Sequence, residues 1–108
     1  MTWNKYGAKK ITDHATGFVF DSKKEFIRWC ELRILERSGS ISDLKRQVKY
    51  ELITKQAGER ACTYVADFVY INSDGNTVVE DTKGVRTDAY RIKRKLMLHI
   101  HGIRIKET

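Results

Sequence analysis

At 108 residues, with 41% hydrophobic composition, the chain has room for one core and too little for two. A formal charge of +7 and a pI near 9.5 select a polyanionic partner, with nucleic acid ahead of an acidic membrane surface. No run approaches the roughly 20 apolar residues of a membrane span, and residues 1–10 lack the apolar core of a signal peptide, so a soluble, cytoplasmic protein is expected.

Met1 to Thr16 reads as a loose basic arm, and residues 17–108 as a single domain. Ser22-Lys23-Lys24-Glu25 has the form of a capping box, which opens a helix running to about Arg37 before Ser38-Gly39. Phe26, Trp29, Cys30 and Ile34 form its expected core stripe. Gln47 to Thr54, Ala61 to Asn72 and Asn76 to Lys83 read as three strands, the last two joined by a hairpin at Ser73-Asp74-Gly75. The middle strand is apolar on both faces and should be covered twice. Thr87 to about His99 carries Ala89, Ile92 and Leu96 at helical spacing with Ile100 close by, and Ile103 to Lys106 forms a short last strand. The expected order is helix-strand-strand-strand-helix-strand, an α/β fold with a mixed sheet flanked by helices. Cys30 and Cys62 lie in apolar patterns without a Cys-x-x-Cys pair, which predicts buried free thiols and reducing surroundings.

Charge placed inside apolar strands is the feature that points to chemistry. Asp67 lies among Val65, Ala66, Phe68 and Val69, and Glu80, Asp81 and Lys83 follow Val78 and Val79. A carboxylate where water is scarce needs a partner, a metal or a shifted pKa. Alternate strand residues share a face, so Asp81 and Lys83 point one way, and Glu80 and Thr82 the other. A two-residue Asp74-Gly75 loop sets Asp67 opposite Thr82; a three-residue Ser73-Asp74-Gly75 loop sets it opposite Asp81. The second is favoured because Gly75 suits its left-handed position, and it converges Asp67, Asp81 and Lys83 on one spot. With the other parity, Glu80 replaces Asp81. Two carboxylates there would hold a hard divalent cation, Mg2+ or Mn2+, beside an ammonium able to serve a phosphate or an attacking water.

Asp67, thirteen residues, then Asp81-Thr82-Lys83, after a helix carrying Glu25, resembles the PD-(D/E)XK nuclease superfamily, with Ala66 where that pattern has proline. Phe20 to Glu25, Tyr64 to Phe68, Glu80 to Gly84 and Tyr90 to Leu96 are similar to small phage-associated endonucleases of that superfamily, related to Holliday-junction resolvases; the likeness runs from about Phe18 to Ile105. The resemblance implies a restriction-endonuclease-like core in which Asp67 and Asp81 bind magnesium or manganese and Lys83 assists hydrolysis. It adds Glu25 as a third acidic ligand from the first helix and Gln47 from the first strand, and it implies a bacterial or phage-infected cell.

Between Arg86 and Lys95 five basic residues face one acid, Asp88, and Arg91, Arg94 and Lys95 lie off the apolar stripe. With Lys9 and Lys10 of the arm they form an expected phosphate rail, and Tyr90 either stacks on nucleic acid or packs in the core. His99 and His101 have no third soft ligand nearby in sequence and read as surface histidines. The resulting expectation is a metal-dependent DNA endonuclease that selects branched structure over sequence, with a Holliday junction as preferred substrate. Two symmetric cuts would then require a homodimer. The rivals are a non-catalytic nucleic-acid-binding module with a nuclease-like fold, and a protein-interaction domain with an acidic partner.

Overall fold

The computed structural model describes residues 10–82 and 86–108. A two-stranded antiparallel hairpin, β1 (Ile11–Thr12) and β2 (Val19–Phe20), leads into helix α1 (Lys23–Arg37). Strands β3 (Ser42–Ile53), β4 (Cys62–Ile71) and β5 (Thr77–Asp81) follow, then helix α2 (Asp88–His101) and strand β6 (Lys106–Glu107). The main sheet runs β3-β4-β5-β6, antiparallel except for the β5–β6 pair, so the fold is α/β with a mixed sheet and two helices.

Local chemistry sets the joints. Ser22 caps α1 by accepting the Glu25 N–H at 3.2 Å, and Thr87 caps α2 by accepting the Tyr90 N–H at 3.1 Å. Gly102 ends α2 at φ 67°, where its N–H reaches the Leu98 carbonyl at 3.0 Å. Gly102→Ala is expected to cost about 1 kcal/mol in urea unfolding, because a Cβ is strained at that φ although nothing crowds it.

Residues 11 and 12, assigned from sequence to the arm, belong to the first hairpin. Asp13 holds it down, accepting from Thr16 Oγ1 at 2.8 Å and from the Trp29 indole of α1 at 3.3 Å. β3 begins at Ser42, five residues before the expected start, and β6 lies at Lys106–Glu107 rather than from Ile103.

Both helices are rotated from the faces that spacing suggested. On α1, Trp29 and Leu32 are buried with Phe26 and Leu35 packed beside them, while Cys30 is exposed and Ile34 is 65% exposed. Apolar residues surround this helix on all sides, so periodicity alone does not choose the inward face. The choice is made by Trp29, whose ring lies 15° from parallel to Phe68 at 6.2 Å, and by Leu32, which has no exposed surface. On α2, Tyr90 and Met97 are buried and Leu96 is half-buried; Ala89, Ile92 and Ile100 face outward. Cys62 is half-buried, so neither thiol is fully enclosed.

β4 is covered twice, but by an unexpected route. Tyr64 and Ala66 pack with Val48, Tyr50 and Leu52 in the core beneath α2, whereas Phe68 and Tyr70 pack with Leu44 in the core beneath α1. Regular alternation would send all these even-numbered residues to one face. The change of side falls between the pairs Val48↔Ala66 and Arg46↔Phe68, that is, at Gln47 and Asp67. Gln47 carries the break in its backbone, with φ of 52°, a conformation rare for a residue with a side chain.

Candidate functional site

The β4–β5 hairpin decides which acids meet. Its pairs run from Ile71↔Thr77 to Phe68↔Glu80, closed by Asn72 N–H to the Asn76 carbonyl at 2.9 Å with Gly75 at φ 83°. This is the three-residue connection, and the register continued by one step sets Asp67 across from Asp81. Asp67 and Asp81 are hydrogen-bonded through their carboxyl groups. Burial, then this contact with Asp81, pushes Asp67 up to about 8. Asp67 Oδ2 also accepts the Thr82 N–H at 2.9 Å, and Asp81 Oδ2 accepts the Tyr64 hydroxyl at 2.5 Å.

Glu25 joins from the first turn of α1. Its carboxylate does not serve as the second half of a capping box: it is 6% exposed and turned into the fold, where Gln47 Nε2 donates to it at 3.4 Å and Arg46 lies 3.6 Å away. Burial raises its pKa, Arg46 opposes that, and the charge of Asp81 adds to it. The charge of Glu25 in turn raises Asp67. Glu25, Gln47, Asp67 and Asp81 are thus gathered around the place where β3 and β4 change sides. Lys83 lies outside the described residues.

Glu80 takes a different role. It has no exposed surface, forms a two-point ion pair with Arg28 of α1, and accepts the Tyr70 hydroxyl at 2.7 Å. Burial raises its pKa, but Arg28 and Tyr70 outweigh that and hold it below the usual range. It is a structural group on the α1 side of the sheet, and Asp81 alone faces Asp67.

Three participants carried no signal in the linear sequence. Tyr64 orients Asp81. Arg46 lies 4.1 Å from the Phe20 ring centroid and 4.9 Å from that of Phe18, donates to the Val19 carbonyl at 3.2 Å, and supplies the cation beside Glu25. Thr82 contributes a backbone N–H, which no side-chain pattern reveals.

The basic segment adjoins this site because β6 pairs Glu107 with Asp81. Arg86 and Arg94 bridge to Glu107 at 2.7 and 3.3 Å, and the Tyr90 hydroxyl donates to the same carboxylate at 3.1 Å. Tyr90 is 6% exposed and its ring lies 6.5 Å from that of Tyr64, which makes it a core residue and corrects its assignment to a nucleic-acid face. Arg91, Lys95 and Lys10 are exposed, while Lys9 lies outside the described residues. The phosphate rail expected from sequence is tested by alanine at both Arg91 and Lys95: a rail requires weaker DNA binding across all sequences and a salt slope lower by about 1 for each lost contact, read by titration at several salt concentrations. Tyr90→Phe is expected to leave affinity unchanged and cost about 1 kcal/mol of stability.

Asp67 and Asp81 offer the oxygen donors that a hard cation takes, and Glu25 is near enough to be coupled to both by charge. Among the described residues, no group of three or more His, Cys, Asp or Glu side chains is arranged to hold a metal ion as it stands. His99 and His101 are exposed, and His101 Nε2 lies 2.7 Å from the Glu51 carbonyl. No described helix is long and apolar enough to cross a membrane.

Fold and site together define an α/β protein in which half-buried Asp67 meets buried Asp81 and Glu25 beside a basic helix, with the pKa values of Asp67 and Glu25 raised. Residues 3–106 match the family described as "Protein of unknown function (DUF1064)", and the chain belongs to that family. No curated protein and no solved structure matches it.

Proposed function

We propose that this protein is a metal-dependent DNA endonuclease with a PD-(D/E)XK core. The observation that carries the reading is half-buried Asp67 held against fully buried Asp81, with the Asp67 pKa pushed up to about 8. Two carboxyl groups forced together make a poor structural pair and a ready pair of ligands, since a divalent cation would offset their mutual repulsion. Asp67 and Asp81 would hold magnesium or manganese, with Glu25 as the third acid. The bound ion supplies charge neutralisation at the phosphate and a water of lowered pKa. The chain's own part is positional: Tyr64 and the Thr82 N–H fix the two aspartates, Gln47 and Arg46 fix Glu25, and Lys83 follows directly to serve the developing charge.

The basic groups at Lys10, Arg91 and Lys95 meet phosphates and read no bases, so the substrate is DNA of a given structure rather than sequence, with branched DNA and the Holliday junction first. Two symmetric cuts in a four-way junction call for a homodimer in the cytoplasm of a bacterial or phage-infected cell. The test is cleavage of labelled linear, flap and four-way DNA with magnesium, with manganese and with a chelator. Metal-dependent cutting supports the reading; salt-sensitive binding without cutting under any condition would leave a non-catalytic nucleic-acid-binding module of nuclease-like fold.

A further inference from the structure

We propose that a cavity on the α1 side of the sheet is a nucleotide subsite, holding one nucleoside monophosphate unit of the strand that crosses the carboxylate cluster. Its identity as part of a substrate strand rests on the nuclease reading; its occupancy by a nucleotide does not.

The cavity measures about 340 Å³, within the roughly 300–1,000 Å³ of small-ligand sites. One wall is a stripe of α1, Lys24, Ile27, Arg28 and Glu31, at the spacing that places residues on one helical face. The opposite wall is Thr82 after β5, together with Lys106 and Thr108 at β6. Three chemistries are present for three parts of a nucleotide. Lys24, Arg28 and Lys106 bring three cations to the lining against the single carboxylate of Glu31, a balance that favours a phosphate, with Arg28 held in place by Glu80 and Glu31. Ile27, 46% exposed, offers an apolar surface for a base. The hydroxyls of Thr82 and Thr108, 3.3 Å apart, can donate to or accept from a sugar or base edge.

Position ties this cavity to the acids. Thr82 lines it with its side chain while its N–H binds Asp67 Oδ2 at 2.9 Å. Lys24 lines it, and the next residue, Glu25, is turned into the cluster. Thr82 and Lys24 thus tie the cavity to the cluster, one through its own N–H and the other through its chain neighbour.

The experiment is a titration of 15N-labelled full-length protein, without divalent cations, with thymidine 5′-monophosphate, thymidine and inorganic phosphate in parallel. Thymidine 5′-monophosphate is expected to shift the Thr82, Lys106, Thr108 and α1 amides, and the Lys24→Ala/Lys106→Ala double variant to raise its Kd at least fivefold. Lys49→Ala on β3 serves as the control for general charge loss. Shifts confined to other surfaces, equal affinity of the double variant, or inorganic phosphate binding as tightly as the nucleotide would each overturn the subsite. Nucleotide binding here in a protein that cuts no DNA would retain the subsite and remove the nuclease reading; cutting without nucleotide binding here would do the reverse.

Discussion

Asp67→Asn is expected to abolish cleavage while making the metal-free protein more stable. For the proposed nuclease the loss should be at least the roughly 10²–10³-fold that removing one preorganised charged or donor group costs, with DNA affinity retained because the proposed phosphate contacts lie elsewhere. The gain follows from the burial and the contact with Asp81 that raise the pKa of Asp67. An amide keeps an oxygen for the Thr82 N–H, offers N–H groups to Asp81, and removes the charge that burial and Asp81 oppose. One pKa unit corresponds to about 1.4 kcal/mol, so even half of the interval between 3.8 and about 8 is roughly 3 kcal/mol near pH 8, or a Tm rise on the order of 10 °C. Thermal unfolding of both proteins with a chelator measures it. A variant that loses stability at pH 8 would show Asp67 to be a structural group and remove the main support for a cation site.

The raised pKa values of Asp67 and Glu25 set a pH dependence of stability. Asp67 and Glu25 have folded pKa values above their ordinary ones, so the folded state holds protons that the unfolded chain releases. Their contribution is full below about pH 4 and is lost as pH rises towards about 8. Glu80, held below its ordinary range, acts in the opposite sense: its contribution is present above that range and is lost as pH falls through its lower folded value. Metal-free stability is therefore expected to peak in mild acid and decline towards pH 8. Magnesium or manganese should offset the alkaline decline, by about 2.7 kcal/mol at a hundred times Kd, and this offset should vanish in Asp67→Asn.

Arg28→Ala is expected to be the most damaging single change on the α1 side. Glu80 has no exposed surface, and Arg28 makes two contacts to it across the interface between helix and sheet. Removing the cation leaves a buried carboxylate with the Tyr70 hydroxyl and the more distant charge of Lys106, a loss of about 3 kcal/mol. In urea the midpoint should fall with little change in slope. Replacing both partners, Arg28→Met with Glu80→Gln, should recover most of the loss, because neither buried charge then lacks its counterpart. A double variant as unstable as the single one would show that packing of the Arg28 stem, rather than charge, is what matters.

Element order, the capped start of α1 and the three-residue hairpin were legible because each depends on neighbours in sequence: Ser22 on Glu25, and Gly75 on the turn around it. The hairpin carried the largest consequence, since its loop length alone decides that Asp67 faces Asp81 and Glu80 faces away. The first hairpin was missed because it gains order from Asp13 reaching Trp29, a contact between elements. The helix faces were misjudged for a related reason: with apolar groups around most of α1, and Tyr90 and Met97 outranking Ile92 on α2, the sheet selects the stripe.

The sequence by itself determined that acids would stand inside apolar strands, and how they would pair along the β4–β5 hairpin. Only the tertiary structure decided that Glu25 turns inward instead of capping its helix, that Arg28 neutralises Glu80, and that β3 and β4 change sides at Gln47 and Asp67. Pairing within a hairpin follows from turn geometry and a period of two. The destination of a buried charge follows from which distant group can neutralise it, and distance along the chain says nothing of that.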